Sequence, residues 1–282
     1  MKSFNQCFTV HMKHSTLGLR YAARSDVGQR RQKNEDSAYA SGRLLAIADG
    51  MGGHPHGAVA GATAIRVLSG LPMDGDPVAA LEAAVHTAAQ TLKSMAEADP
   101  AMNGMGTTLT AMLWNGQGFA LAHVGDSRGY MLRDGVLYQI THDHTLVQSL
   151  VDDGRMTPEQ AAEHPRRSML MRALESTGNV NPDMSTRGAY PGDRYLLCSD
   201  GLPAVVSPDT MHEILTSVAD LDTVARTLVD LANRGGGPDN ITCVVFDVVD
   251  LAQGAAGDGH PIMVGAAAIE QDPTPDPADH VA

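Results

Sequence analysis

The chain has 282 residues, 43% of them hydrophobic, and a formal net charge of -13, enough apolar material for one large domain or two small ones. The acidic surplus excludes nucleic acid as the main partner, because a phosphate backbone is held by clustered Lys and Arg. Three scattered cysteines (Cys7, Cys198, Cys243) exclude a disulfide framework, and the chain has neither an apolar run of about 18 residues nor an apolar signal core at its start. The cysteines are therefore read as reduced and buried, and a cytoplasmic location with no membrane span is expected.

Residues 1–15 show no periodicity and are read as a flexible N-terminal leader. From Leu17 onward, short β-like runs (LGLRYAA, RLLAIAD, TLTAML, GFALAHV, GYMLRDGVLYQI) alternate with turn signals, and Asp134-Gly135 is a hairpin signature. These runs predict antiparallel sheets. Helical patterns interrupt them after His54 and again from Asp76-Pro77, where Asp can cap and Pro suits the first turn. The polar stretch at about 142–183, with Pro158, Pro165 and Pro182, reads as an inserted helical flap. Two more helices are predicted, one opened by Ser207-Pro208 and one over Asp222–Asn233 closed by Gly235 to Gly237. Beyond Asp250 the composition turns to Gly, Ala, Pro and acid with no Lys or Arg, and residues 249–282 are read as a disordered tail. Strands at both ends with helices between and beside them imply sheet layers covered by helices, an α+β class.

Four acidic residues share a local design, an Asp beside an apolar strand end with a small or turn-forming neighbour: Asp49 in LAIADG, Asp126 in AHVGDS, Asp200 in YLLCSDG and Asp239 in GGPDN. Glu35 and Asp36 form a fifth acidic site in RQKNED. Any one of them could be turn chemistry alone, since Asp side chains bond nearby backbone N–H groups. Their recurrence points to a cation, because unpaired carboxylates near a core are costly. An oxygen-only ligand set without Cys or paired His favours Mg²⁺ or Mn²⁺ over zinc.

Read together, RQKNED, ADGMGGH, MGTTL, VGDSR, CSDGL and GPDNIT occur in an order that resembles the type 2C metal-dependent Ser/Thr protein phosphatases. The resemblance spans about Leu17 to Asp247, and HDHTLVQSLVDDG and HPRRSMLMRAL resemble the flap of the bacterial branch, in particular actinobacterial enzymes that oppose Ser/Thr kinases. It implies an antiparallel β-sandwich flanked by helices on both faces, in α-β-β-α layers, with a small helical flap insertion and a catalytic domain at 16–248. It further implies two core Mn²⁺ or Mg²⁺ ions. Asp49 resembles the bridging ligand, Gly50 a carbonyl ligand, Asp200 and Asp239 carboxylates of one metal, Glu35 the carboxylate of the other, and Asp36 an orienter of coordinated water. Asp126, with Asp200 and Ser168, matches a third, weaker site near the flap. Arg31 fits a phosphate-holding guanidinium, whose fork matches two oxygens. Where eukaryotic members carry a histidine after Asp-Gly, this chain has Met51, so His54 stands as a candidate proton donor beside a structural role at a helix start.

The function implied is hydrolysis of phosphoserine and phosphothreonine by a metal-activated water, acting as a monomer on kinases and their substrates. Two other readings stay open at this stage, a non-catalytic phosphoprotein-binding member and a two-metal small-molecule phosphatase. A cysteine phosphatase is disfavoured, because Lys13, Ala204 and Val249 stand where its arginine would be. A P-loop enzyme is disfavoured because no GxxxxGK[ST] pattern occurs.

Overall fold

The computed structural model describes residues 16–51, 56–72, 75–252 and 259–269. In chain order, β1 (Leu17–Asp26), β2 (Asp36–Ala40) and β3 (Leu44–Met51) lead to α1 (His56–Ser69) and α2 (Pro77–Ala98). Then come β4 (Gly106–Thr107), β5 (Leu109–Trp114), β6 (Gly118–Val124), β7 (Arg128–Arg133) and β8 (Val136–Gln139). The flap holds α3 (Leu146–Asp152) and α4 (Pro158–Ala162) and returns through β9 (Leu174–Glu175) to β10 (Asp183–Gly188). The chain closes with β11 (Arg194–Cys198), α5 (Pro208–Ser217), α6 (Leu221–Arg234), β12 (Ile241–Asp250), β13 (Ile262–Gly265) and α7 (Ala266–Ile269).

One sheet runs β1-β12-β11-β7-β8, and a second runs β10-β6-β5-β3-β2-β13, with β4 and β9 attached beside β3. The period-two alternation of strand side chains assigns each residue to a layer. In β3, Leu45 and Ile47 point between the sheets while Ala46 and Ala48 face α1 and α2. In β12, Val244 and Phe246 join the inter-sheet core, whereas Cys243 and Val245 pack with Leu202, Val224 and Leu228 on the side of α5 and α6. Strands buried on both faces read as continuous apolar runs, and the result is the four-layer α-β-β-α arrangement expected.

Local chemistry sets most boundaries. The Asp76 carboxylate accepts from the Ala79 N–H at 3.1 Å to cap α2, and Ser207 Oγ does the same for Thr210 at the start of α5. The β7–β8 hairpin turns through Asp134 and Gly135 with φ of 51° and 75°, the left-handed pair of a tight two-residue turn. Helix α6 begins one residue before the predicted Asp222, because Asp220, rather than Asp222, accepts from the Thr223 N–H at 2.8 Å. Cys198 and Cys243 are buried and unbridged, as read; Cys7 lies outside the described residues. No described helix is long and apolar enough to cross a membrane.

The reading of 249–282 as a disordered tail is corrected in part. β12 runs to Asp250, and β13 pairs antiparallel with β2 in the register Ile262↔Ala40 to Gly265↔Ser37. Composition conceals a short alternating run: Ile262 and Val264 lean on the inter-sheet core, Met263 on the helix side, and Ala266 and Ala267 are buried. Gly265 has φ 75°, and a Cβ there would stand 2.1 Å from the Asp36 carbonyl oxygen. The chain thus returns against the strand that carries Asp36.

Candidate metal centre

The ends of β3, β6 and β11 and the starts of β2 and β12 meet at one end of the sandwich, and each carries an acid. Antiparallel pairing of β2 with β3 sets Asp36 directly opposite Asp49, and Ser37 opposite Ala48. Like charges directly opposed across a ladder are destabilising, so this register is a local cost. Gly50 follows Asp49 where α1 presses closest: a Cβ on Gly50 would lie 2.1 Å from the Gly57 carbonyl oxygen. Only glycine fits that approach.

Glu35, Asp49, Asp126, Asp200 and Asp239 line one cavity of about 350 Å³ together with Arg31, Gly50, Ser168 and Asn240. Asp36 sits behind them, fully buried; its Oδ2 accepts from Ser199 Oγ at 2.7 Å, while its Oδ1 has no partner among the described residues. Arg31 Nη2 donates to Asp239 Oδ2 at 2.7 Å and is the one cationic side chain lining this cavity among the described residues. A larger groove of about 770 Å³, lined by Arg20, Arg194 and Asp247, shows the contrast. There Asp247 is paired with Arg194 at 2.7 and 2.9 Å. Asp247 is neutralised by its arginine, whereas of the five acids lining the smaller cavity only Asp239 meets one.

The electrostatics follow. Burial, then the neighbouring carboxylates, pushes Asp36 up to about 7, Asp126 to about 7 and Asp200 to about 6. Asp49 is raised well above the ordinary carboxylate range by burial and by Asp36, Asp200, Asp126 and Asp239, and Glu35 is raised chiefly by burial. A half-buried acid cluster backed by a fully buried carboxylate with an unpartnered oxygen fits a hard divalent cation.

That charge has a measurable consequence. With folded-state values near 6 to 7 against about 4 in the unfolded chain, the metal-free native state holds more protons between roughly pH 4 and 7, so its contribution to stability from these groups falls as pH rises through that window. A cation that binds the ionised form acts oppositely. The gap in Tm between Mn²⁺-loaded and EDTA-treated protein is therefore expected to widen from pH 5 to pH 8 in thermal melts. A constant gap would show that these acids hold no metal.

Of the residues singled out from sequence, Arg31, Glu35, Asp49, Gly50, Asp126, Ser168, Asp200 and Asp239 share this cavity, with Asp36 directly behind it. Ser168 is exposed at the flap side. His54 lies outside the described residues. Three supporting residues had not been assigned a role. The Asn240 side chain accepts from the Glu35 N–H at 2.9 Å and donates to the carbonyls of Val27 and Lys33 at 2.9 and 3.0 Å, locking the Arg31–Asp36 loop to the Asp239 loop. Thr108 Oγ1 accepts from the Asp49 N–H at 3.0 Å and lies 2.7 Å from Ser127 Oγ, so one hydroxyl connects the Asp49 and Asp126 turns. Ser199 holds Asp36 as described. All three lie inside the motifs MGTTL, GPDNIT and CSDGL; the motif was the available signal, and only the fold says which atom each side chain meets.

The protein phosphatase 2C profile matches residues 19–150. A serine/threonine phosphatase from Listeria monocytogenes is 38% identical over 242 residues, spanning 82% of this chain and 96% of that protein. The chain belongs to the protein phosphatase 2C family. The serine/threonine protein phosphatase PstP of Mycobacterium tuberculosis is 52% identical over 265 residues, 93% of this chain and 50% of that protein, so the chain spans about half the length of that relative. The solved catalytic domain of PstP in complex with two manganese ions superposes with a TM-score of 0.79 at 52% identity, covering 83% of this chain and all of that one.

Proposed function

We propose that this member of the protein phosphatase 2C family is a metal-dependent protein serine/threonine phosphatase that hydrolyses phosphoserine and phosphothreonine. The observation that carries this reading is the excess of acid over cation: five carboxylates lining one cavity, a sixth behind them, and a single guanidinium, on Asp239, at the edge. Asp49, the Gly50 carbonyl, Asp200 and Asp239 would hold the core Mn²⁺ or Mg²⁺ pair with Glu35, Asp36 would orient coordinated water, and Asp126 with Asp200 and Ser168 would hold a third ion. Two such cations, when bound, supply an acidified water and neutralise phosphoryl charge. The manganese in the PstP structure and the naming of both bacterial relatives as serine/threonine phosphatases support this assignment.

The chain's own residues supply the rest. Arg31 uses one donor on Asp239, leaving the rest of its planar fork for two phosphoryl oxygens. Ser199 and Asn240 fix Asp36 and the Glu35 backbone, so the ligand loops are preorganised rather than assembled on binding. On this reading the partners are phosphorylated Ser/Thr proteins, kinases and their substrates, met by a monomer. The free buried thiols of Cys198 and Cys243 suit a reducing, cytoplasmic setting.

The direct test is hydrolysis of p-nitrophenyl phosphate and of a phosphothreonine peptide. Turnover of both with Mn²⁺ and none with EDTA is expected. Binding of the phosphopeptide without turnover would instead mark a non-catalytic member, and turnover of small esters alone would mark a small-molecule phosphatase.

A further inference from the structure

The motif THDHT opens the flap, and it contains a histidine that the metal reading leaves unused. The His144 side chain is only 2% exposed. Its backbone N–H donates to the Gly125 carbonyl at 2.8 Å, and the Gly125 N–H donates back to His144 Nδ1 at 3.1 Å. A backbone amide can only donate, so Nδ1 is the unprotonated nitrogen and Nε2 carries the hydrogen. Nε2 stands 3.1 Å from Asp183 Oδ2, and the other oxygen of Asp183 accepts from Arg172 Nη1 at 2.7 Å. The His144 carbonyl accepts from the Met171 N–H at 2.8 Å. One imidazole therefore joins the turn before Asp126 to the far end of the flap.

That turn has little freedom elsewhere. Gly125 has φ 110°, and a Cβ on it would lie 2.6 Å from Thr108 Cβ. On the other side of Asp126, Ser127 is held by Thr108 Oγ1 at 2.7 Å and by Thr110 Oγ1, which donates to the Ser127 carbonyl at 2.9 Å. Asp126 is thus flanked by two anchored residues, and His144 is the anchor that also reads the flap.

We propose that His144 is a positioning residue for the flap-side metal site, holding the Gly125–Asp126 turn through its Nδ1 and tying that turn to the flap through Asp183 and Arg172. This rests on the reading of Asp126 as a metal ligand. Outer-shell partners typically alter metal affinity by about 10-fold to 100-fold, and His144 acts one step further out, so the lower figure applies.

The experiment is Mn²⁺ titration of the EDTA-stripped 282-residue chain by calorimetry, with free Mn²⁺ followed by electron paramagnetic resonance. Wild type is compared with Asp126→Ala, His144→Asn, His144→Gln and His144→Leu. Asp126→Ala is expected to lose the weakest class of Mn²⁺ site and keep the two tighter ones. His144→Asn places an amide oxygen where Nδ1 stood and should bind the weakest ion within about threefold of wild type. His144→Gln reaches only the Nε2 position and should weaken it about tenfold, as should His144→Leu. If the leucine variant fails to fold, the Asn and Gln pair decides. Wild-type affinity in His144→Gln, with the site lost in Asp126→Ala, would overturn the proposal alone. An Asn variant as weak as the Gln variant would also overturn it, because His144 would then only fill space. A wild type with two classes of site, or an Asp126→Ala protein with all three, would overturn the reading of Asp126 and the proposal with it.

Discussion

Replacing Asp49 with Asn is expected to remove phosphatase activity while making the metal-free protein more heat-resistant. Asp49 faces Asp36 across the β2–β3 ladder and is pushed up by burial and by four other carboxylates. Asn keeps the shape and removes a charge that the metal-free fold accommodates badly, so Tm in EDTA should rise. The same change removes a carboxylate oxygen that would hold the core ions. A loss of about 4 kcal/mol of transition-state stabilisation is about a 10³-fold fall in kcat/KM. Asp239→Asn should fall comparably in activity, and it also weakens the 2.7 Å charge-assisted bond to Arg31. Initial rates on a phosphothreonine peptide with Mn²⁺, paired with melts in EDTA, check both halves. Retention of a tenth of wild-type activity by both variants would end the proposed mechanism, and a lower metal-free Tm for Asp49→Asn would refute the account of its charge.

The second large effect is expected from truncation after Asp250, and it reverses what composition suggests. Read from sequence, residues 251–282 are a dispensable tail, and their deletion should leave core activity intact. The fold places β13 along β2, with the Ala267 N–H donating to Ser37 Oγ at 3.1 Å and the Tyr21 hydroxyl donating to the His260 carbonyl at 3.1 Å. Truncation would uncover the β2 edge, the buried Ala266 and Ala267, and the ladder beside Asp36. The loss of those contacts is about 2 to 3 kcal/mol, which in a domain of this size lowers Tm by roughly 4 to 12 °C. Mn²⁺ affinity should fall with it, since β2 carries Asp36. A shorter truncation that removes only 270–282 keeps β13 and α7 and is the reference for this comparison. Differential scanning calorimetry of the two truncations decides; equal melting temperatures would show that the β13 strand does not support the fold.

The misreading of this segment has a physical cause. Averaged over thirty residues, Gly, Ala, Pro and acid outweigh the apolar content needed to offset ordering entropy. Four alternating residues, Ile262 to Gly265, suffice when a strand edge is already waiting for them, and that edge belongs to β2, more than 200 residues earlier. Helix α6 gives a smaller case, since Asp220 and Asp222 are equally good caps by type and only the backbone path selects the first.

The candidate metal centre divides along the same line. Local sequence determined the residue types and their placement at strand ends, because hydrophobic alternation marks strands and Asp with Gly or a preceding Pro marks where each stops. The order of six short motifs determined the family. Tertiary structure decided what each acid is next to. Pairing of β2 with β3 sets Asp36 against Asp49, α1 presses on Gly50, and Asn240 and Thr108 join loops far apart in the chain. It also decided which acids go unpaired: Asp143, Asp193 and Asp247 meet Arg128, Arg133 and Arg194, whereas most of those in the cavity meet one another. Partner identity depends on long-range packing, which residue type and spacing do not encode, and it is this concentration of negative charge that makes the end of the sandwich a candidate cation site.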